Sequence, residues 1–195
     1  MASFEGATID DIYEAFAYAE TGSFKDPWIR TIYQPKTRLP DGTIKIVGST
    51  AYGPVQMTAG GQSMIAHQLE NLGKTGIKWS DDEVDFMKKM RDQAKLFSKY
   101  GGDDMVTGME RYGYGGKGDL ISKSDQDLYK SVAKKLLQSE LDRVGGIRKL
   151  KRSWRGKEDL EYFKKFDMKL KSLLKDRDTS FFFPNNGLMP KDIPV

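Results

Sequence analysis

One glutamate in this chain falls where helical spacing would turn a carboxyl towards apolar surface. Helical spacing from Thr8 places Ile9, Ile12, Tyr13, Phe16 and Ala17 on a single face, and Glu20 falls on that same face. A carboxyl aimed at apolar surface is costly unless it is paired, neutral or placed for a purpose. Burial raises a carboxyl's pKa, and a raised pKa is what a general acid needs near neutral pH. Thr21 and Gly22 follow directly, a hydroxyl and then a helix stop. The plainer reading is a last-turn glutamate that bends out to solvent beside Gly22.

Other chemistries are narrowed by composition. The chain has no cysteine and a single histidine, His67, which excludes thiolate nucleophiles, disulfides and the usual zinc ligand sets. A Ser-His-Asp triad would have to use His67, which lies in a polar stretch without a nucleophile-elbow motif and reads as a surface helix residue. No metal or cofactor is expected, and chemistry must rest on carboxylates, hydroxyls and amides. The Gly113–Gly118 run formally matches G-x-G-x-x-G, but it follows the polar Met109-Glu110-Arg111-Tyr112 rather than a strand, and Lys117 lacks the Ser or Thr that follows a phosphate-loop lysine. Asp81-Asp82 and Asp103-Asp104 are better read as helix starts than as metal sites.

The elements that would position these residues are mostly helical. Thr8 with Asp11 predicts a capping box opening a helix that ends near Gly22. Between Pro27 and Val47 the pattern becomes β-favouring on both sides of Asp41-Gly42, which predicts a small two-stranded hairpin. Further helices are predicted from Thr58 to about Leu72, from the Ser80–Glu83 capping box to Gly101-Gly102, and from Asp103 or Asp104 towards Arg111. Two more follow, from Ser124 to Gly145-Gly146 and from about Lys157 to Lys175, the last with Leu160, Phe163, Leu170 and Leu174 inward. The segment 179–195, with Phe181-Phe182-Phe183 and three prolines, lacks periodicity and is expected as an extended strap.

Three short segments occur in an informative order: Ala17-Tyr18-Ala19-Glu20-Thr21-Gly22, then Ser49-Thr50-Ala51-Tyr52-Gly53-Pro54-Val55-Gln56-Met57-Thr58, then Tyr112-Gly113-Tyr114-Gly115-Gly116-Lys117-Gly118. Together they resemble the soluble lytic transglycosylases and the related goose-type lysozymes, from about Thr8 to Phe166. The correspondence is best at Glu20, Ala51, Gly53, Gln56, Tyr112 and Gly115, and Glu161-Tyr162-Phe163 is similar to a late tyrosine segment lining the family's site. Thr21 stands where the family has serine, Thr50 where it has glycine, Pro54-Val55 where it has Leu-Met, and Gly113-Tyr114 where it has Asn-Ala. The resemblance implies a mainly α, α+β lysozyme-like fold: a helical body over 1–178, with the hairpin of about 27–47 forming a small lobe beside a cleft.

The implied activity is cleavage of the MurNAc–GlcNAc β-1,4 bond of peptidoglycan. Glu20 would act first as acid and then as base on the sugar's own C6 hydroxyl, giving a 1,6-anhydro product; water attack, the muramidase outcome, stays open. Thr21, Tyr52, Gly53, Gln56, Tyr112, Tyr114, Gly115 and Tyr162 are the expected substrate-binding residues, with Tyr112 holding the Glu20 rotamer.

Charge and the chain's start set the remaining expectations. The net charge of +4 is uneven, with Lys and Arg concentrated between Arg143 and Arg177. Such a face attracts nucleic acid, anionic membrane or an acidic wall polymer, or is simply the wet side of helices. Neither an apolar run of membrane-spanning length nor the basic and apolar regions of a secretory signal is visible. A bacteriophage protein acting on the periplasmic wall fits that pattern, carried in the virion or released at lysis, with the C-terminal tail contacting other virion proteins. Two other readings remain: a non-enzymatic assembly or wall-binding protein on the same scaffold, and a nucleic-acid binder using the basic face.

Overall fold

A computed structural model describes residues 6–22, 28, 36–38, 44–46, 51–59, 63–100 and 123–182. Among them the chain is mainly helical: α1 (Ile9–Thr21), α2 (Met64–Glu70), α3 (Asp81–Tyr100), α4 (Lys123–Val144), α5 (Ile147–Arg155) and α6 (Leu160–Phe182). Two three-residue strands, β1 (Lys36–Arg38) and β2 (Ile44–Ile46), pair antiparallel with Thr37 opposite Lys45. They lie within the segment where a hairpin was expected; its Asp41-Gly42 turn is outside the described residues, as are Gly101-Gly102 and the Asp103–Arg111 helix.

Local chemistry explains where the helices begin. The Thr8 hydroxyl accepts from the Asp11 backbone amide while the Asp11 carboxylate accepts from the Thr8 amide at 2.7 Å, closing the capping box of α1. Ser80 and Glu83 repeat the arrangement at α3, at 2.8 and 3.2 Å. Three expectations need correction. α2 starts at Met64, not Thr58, because Met57 is tied back to Tyr52 and Ser63 supplies the cap. α5 was not anticipated: its basic composition hides the inward set Ile147, Leu150, Lys151 and Trp154, which recurs at helical spacing. α6 starts at Leu160, where the Asp159 carboxylate accepts from the Tyr162 amide at 3.1 Å, and runs through Phe182 into the expected tail. Leu160 is outside the core, 77% exposed.

The core is assembled around α1, whose most extensive partner is α6. Phe16 is fully buried and packs against Phe166 at 4.7 Å between ring centres, with Trp154 and Tyr162 beside it. A second cluster centres on Tyr129 of α4, in edge contact with Trp28, Tyr52 and Phe86. The Tyr129 hydroxyl donates to the Tyr52 carbonyl at 2.6 Å and accepts from the Met57 amide at 3.3 Å. It thereby closes the 52–57 turn. Removing that hydroxyl strands two buried backbone groups, so Tyr129→Phe is expected to destabilise the protein by about 1–3 kcal/mol in urea denaturation.

Candidate active site

Glu20 sits in the last turn of α1 with its side chain only 10% exposed. Burial pushes its pKa above the ordinary glutamate value; the Tyr162 hydroxyl and the Arg155 guanidinium pull it back down, and Asp159 adds to the rise. Burial wins. Arg155 Nη1 lies 3.6 Å from Glu20 Oε2, an ion pair too long for a strong hydrogen bond, and its Nε lies 3.4 Å from Asp159. The same guanidinium stacks over the Tyr162 ring at 5.2 Å. Burial and the neighbouring Glu20 push the Tyr162 phenol well above its ordinary pKa, so it stays neutral. Tyr162 is close enough to Glu20 for mutual influence, yet its buried hydroxyl has no partner at hydrogen-bond geometry among the described residues.

The loop 51–59 is docked against this helix end. The Thr21 hydroxyl, itself buried, reaches both the Ala17 and Pro54 carbonyls at 3.0 Å and so pins the loop to the residue after Glu20. From the other side the Trp154 indole donates to the Val55 carbonyl at 3.2 Å. Gln56 adopts φ +51°, a left-handed conformation that a non-glycine residue takes only under constraint. Its backbone amide and its Nε2 both donate to the Gly53 carbonyl, at 3.0 and 2.9 Å. The side-chain oxygen of Gln56 has no partner among the described residues.

The expected site residues are therefore sorted by the structure. Glu20, Tyr162 and the loop carrying Gln56 come together at the end of α1. Thr21 is a tether rather than a substrate contact, since its hydroxyl is used on two carbonyls. Tyr52 is buried and donates to the Trp28 carbonyl at 2.7 Å, so it braces the loop from inside instead of lining a groove. Gly53 also has a structural reason: at φ +73° a Cβ there would stand 2.5 Å from the Tyr129 ring. Tyr112, Tyr114 and Gly115 lie outside the described residues. His67 is exposed on α2.

Arg155 and Asp159 were missed. Both lie in the Arg143–Arg177 run, where the one arginine that reaches Glu20 cannot be told from its neighbours by type; the local signal was Gly156, the left-handed cap that ends α5 one residue later. A second buried glutamate, Glu83, provides the contrast. Burial would raise it, but the Lys135 ammonium at 2.6 Å, the Ser131 hydroxyl at 2.6 Å and the Ser80 amide outweigh burial and hold it below the ordinary range. Among the described residues no group of three metal-ligating side chains is present. An open depression of about 460 Å³ lies elsewhere, between the Thr75–Lys78 turn and α4. No family model, curated protein or solved structure matches this chain.

The raised pKa of Glu20 has a consequence for stability. The native state holds its proton to higher pH than the unfolded chain does, so the associated stability is present below the ordinary glutamate range and lost as pH rises through the raised value. Glu20→Gln cannot ionise. It is expected to raise the thermal midpoint near neutral pH, with the gain vanishing towards about pH 4, as scanning calorimetry at the two pH values would read.

Proposed function

We propose that this protein cleaves the MurNAc–GlcNAc β-1,4 bond of peptidoglycan on a lysozyme-like scaffold, with Glu20 as the acid. The observation that carries this reading is the opposite treatment of two buried glutamates. Glu83 is surrounded by donors that hold its pKa below the ordinary range, whereas at Glu20 the Tyr162 phenol and one loose cation, Arg155, do not offset burial and the pKa is raised, the direction that favours a proton donor. Glycosidic cleavage requires a proton on the leaving oxygen and relief of charge at an oxocarbenium-like carbon.

The resemblance of the Glu20, Gln56 and Tyr162 segments to the lytic transglycosylases supplies the substrate class. In this reading the protonated Glu20 gives its proton to the leaving sugar oxygen. The resulting carboxylate is stabilised by Arg155 and then takes a proton from the C6 hydroxyl as that oxygen attacks C1, closing a 1,6-anhydro ring. Gln56 offers its amide oxygen to a sugar N–H or hydroxyl. Tyr162 is the phenol beside Glu20 among the described residues, and Tyr112, which lies outside them, keeps the proposed role of holding the Glu20 rotamer. No second carboxylate is needed, because the substrate's own N-acetyl group assists departure. The hairpin region of 27–47 would flank the cleft.

Three measurements test the reading. Glu20→Gln should lower clearing of purified cell walls about a hundredfold or more while keeping its helical circular dichroism; near wild-type clearing would remove Glu20 from the mechanism. Mass spectrometry of the wild-type products separates anhydro ends from reducing ends. Arg155→Gln removes a cation that lowers the Glu20 pKa, so the alkaline limb of kcat/KM should move to higher pH. A limb that stays in place would detach that limb from Glu20.

A further inference from the structure

The outward face of α5 carries a line of cations that ends at the acid. Arg148, Arg152 and Arg155 recur at spacings of four and three, which places them on one face, and Lys149 is exposed beside them. The opposite face, with Leu150 and Lys151 buried and Trp154 bonded to Val55, fixes the helix against the core and the loop. Arg155 reaches Glu20, and Arg148 makes a 3.2 Å contact with the half-exposed Glu158. Arg152 and Lys149 form no ion pair among the described residues. Glu158 thus partners Arg148, and Glu20 and Asp159 share Arg155, so the excess positive charge of the face comes from Arg152 and Lys149, in a segment Arg143–Arg177 that holds thirteen Lys and Arg against five Asp and Glu.

We propose that this stripe is a docking surface for the carboxylate-bearing peptide stems of the glycan strand whose bond lies at Glu20. The inference rests on the proposed peptidoglycan substrate and adds how the strand is held. Its direction comes from geometry: a polymer following the arginines from Arg148 arrives at the carboxyl, whereas a surface unrelated to the site would have no reason to end there. Its spacing comes from the helix. At 1.5 Å per residue Arg148 and Arg155 stand about 10 Å apart along the axis, about the length of one disaccharide and hence of one stem-to-stem repeat. Arginine suits the task because its planar fork pairs with a carboxylate through two parallel hydrogen bonds. A stem carboxylate that engages Arg155 would also draw it off Glu20, which couples docking to protonation of the acid.

Binding is measured by co-sedimentation with purified sacculi at low salt, using Glu20→Gln protein so that the walls persist. Arg148→Gln/Arg152→Gln in that background should bind on the order of tenfold more weakly and with a shallower salt dependence, while the exposed pair Lys164→Gln/Lys171→Gln on α6 should bind as the parent does. Sacculi whose stem carboxylates have been converted to amides should lose the difference between the two variants. Equal losses in both double variants would mean diffuse attraction and overturn the stripe. Undiminished binding to amidated walls would overturn the stem as occupant, and so would duplex DNA displacing the protein from walls through the same two arginines. Whether the protein with Glu20 intact clears walls is read separately, so failure of docking and failure of the proposed cleavage remain distinct.

Discussion

The geometry around Glu20 depends on one buried phenol. Tyr129 comes from α4, far from α1 in sequence, and its hydroxyl satisfies one backbone donor and one backbone acceptor of the 52–57 turn. Buried backbone polar groups need partners; within the turn the Tyr52 amide donates to the Met57 carbonyl and the Gln56 amide to the Gly53 carbonyl, and the phenol serves the Tyr52 carbonyl and the Met57 amide that these bonds leave over. Once the ring is in place, position 53 must be glycine, and three residues on Gln56 takes a left-handed conformation with its amide on the Gly53 carbonyl. Burial keeps the phenol's pKa far above the ordinary value, so the donor to Tyr52 is present at every physiological pH. Thr21 and Trp154 then attach the closed turn to the helix end and to α5. The loop is thus held from three helices, and the acid next to Thr21 inherits that rigidity.

Burial alone does not decide what a carboxyl does. Glu83 and Glu20 are both largely withdrawn from water, yet their environments drive their proton affinities apart. At Glu83 a lysine, a serine and a capping amide meet the carboxylate at hydrogen-bond distance, and the group ties α3 to α4 as an anion. At Glu20 the nearest cation stands back at 3.6 Å and is shared with Asp159, and together with the nearby phenol it does not offset burial. Under-satisfaction of a buried ionisable group costs stability, and proteins tolerate it chiefly where the group has work to do.

Much of this was legible in the chain, and what was not has a physical cause. The apolar stripe of α1, its Thr8–Asp11 box and the placement of Glu20 on the buried face followed from spacing alone, because 3.6-residue periodicity is strong there. The inward residues Phe86, Met87 and Met90 of α3 were readable for the same reason, as were Val132, Leu136 and Leu137 of α4. α5 was not, since its core contribution comes from Ile147, Leu150 and Trp154 interrupted by arginines and by Lys151, whose ammonium is buried against Asp167 and two phenylalanine rings. Gly53 and Tyr52 were recognised as special but for the wrong partner. A motif shows that a glycine is demanded, not whether a sugar or a tyrosine ring will fill the space. Arg155 and Asp159 reach Glu20 only through the reversal after α5, a tertiary fact that no local pattern contains.

That reversal places every charged or phenolic neighbour of the acid, among the described residues, within one short run of sequence. Arg155 closes α5, Gly156 turns the chain, Asp159 opens α6 and Tyr162 stands one turn further on. The proton affinity of Glu20 is therefore written on a different segment from Glu20 itself. Small changes in that turn would shift the proton affinity of Glu20 while leaving its helix, its tether and the loop untouched, a dial separable from the scaffold that carries the carboxyl.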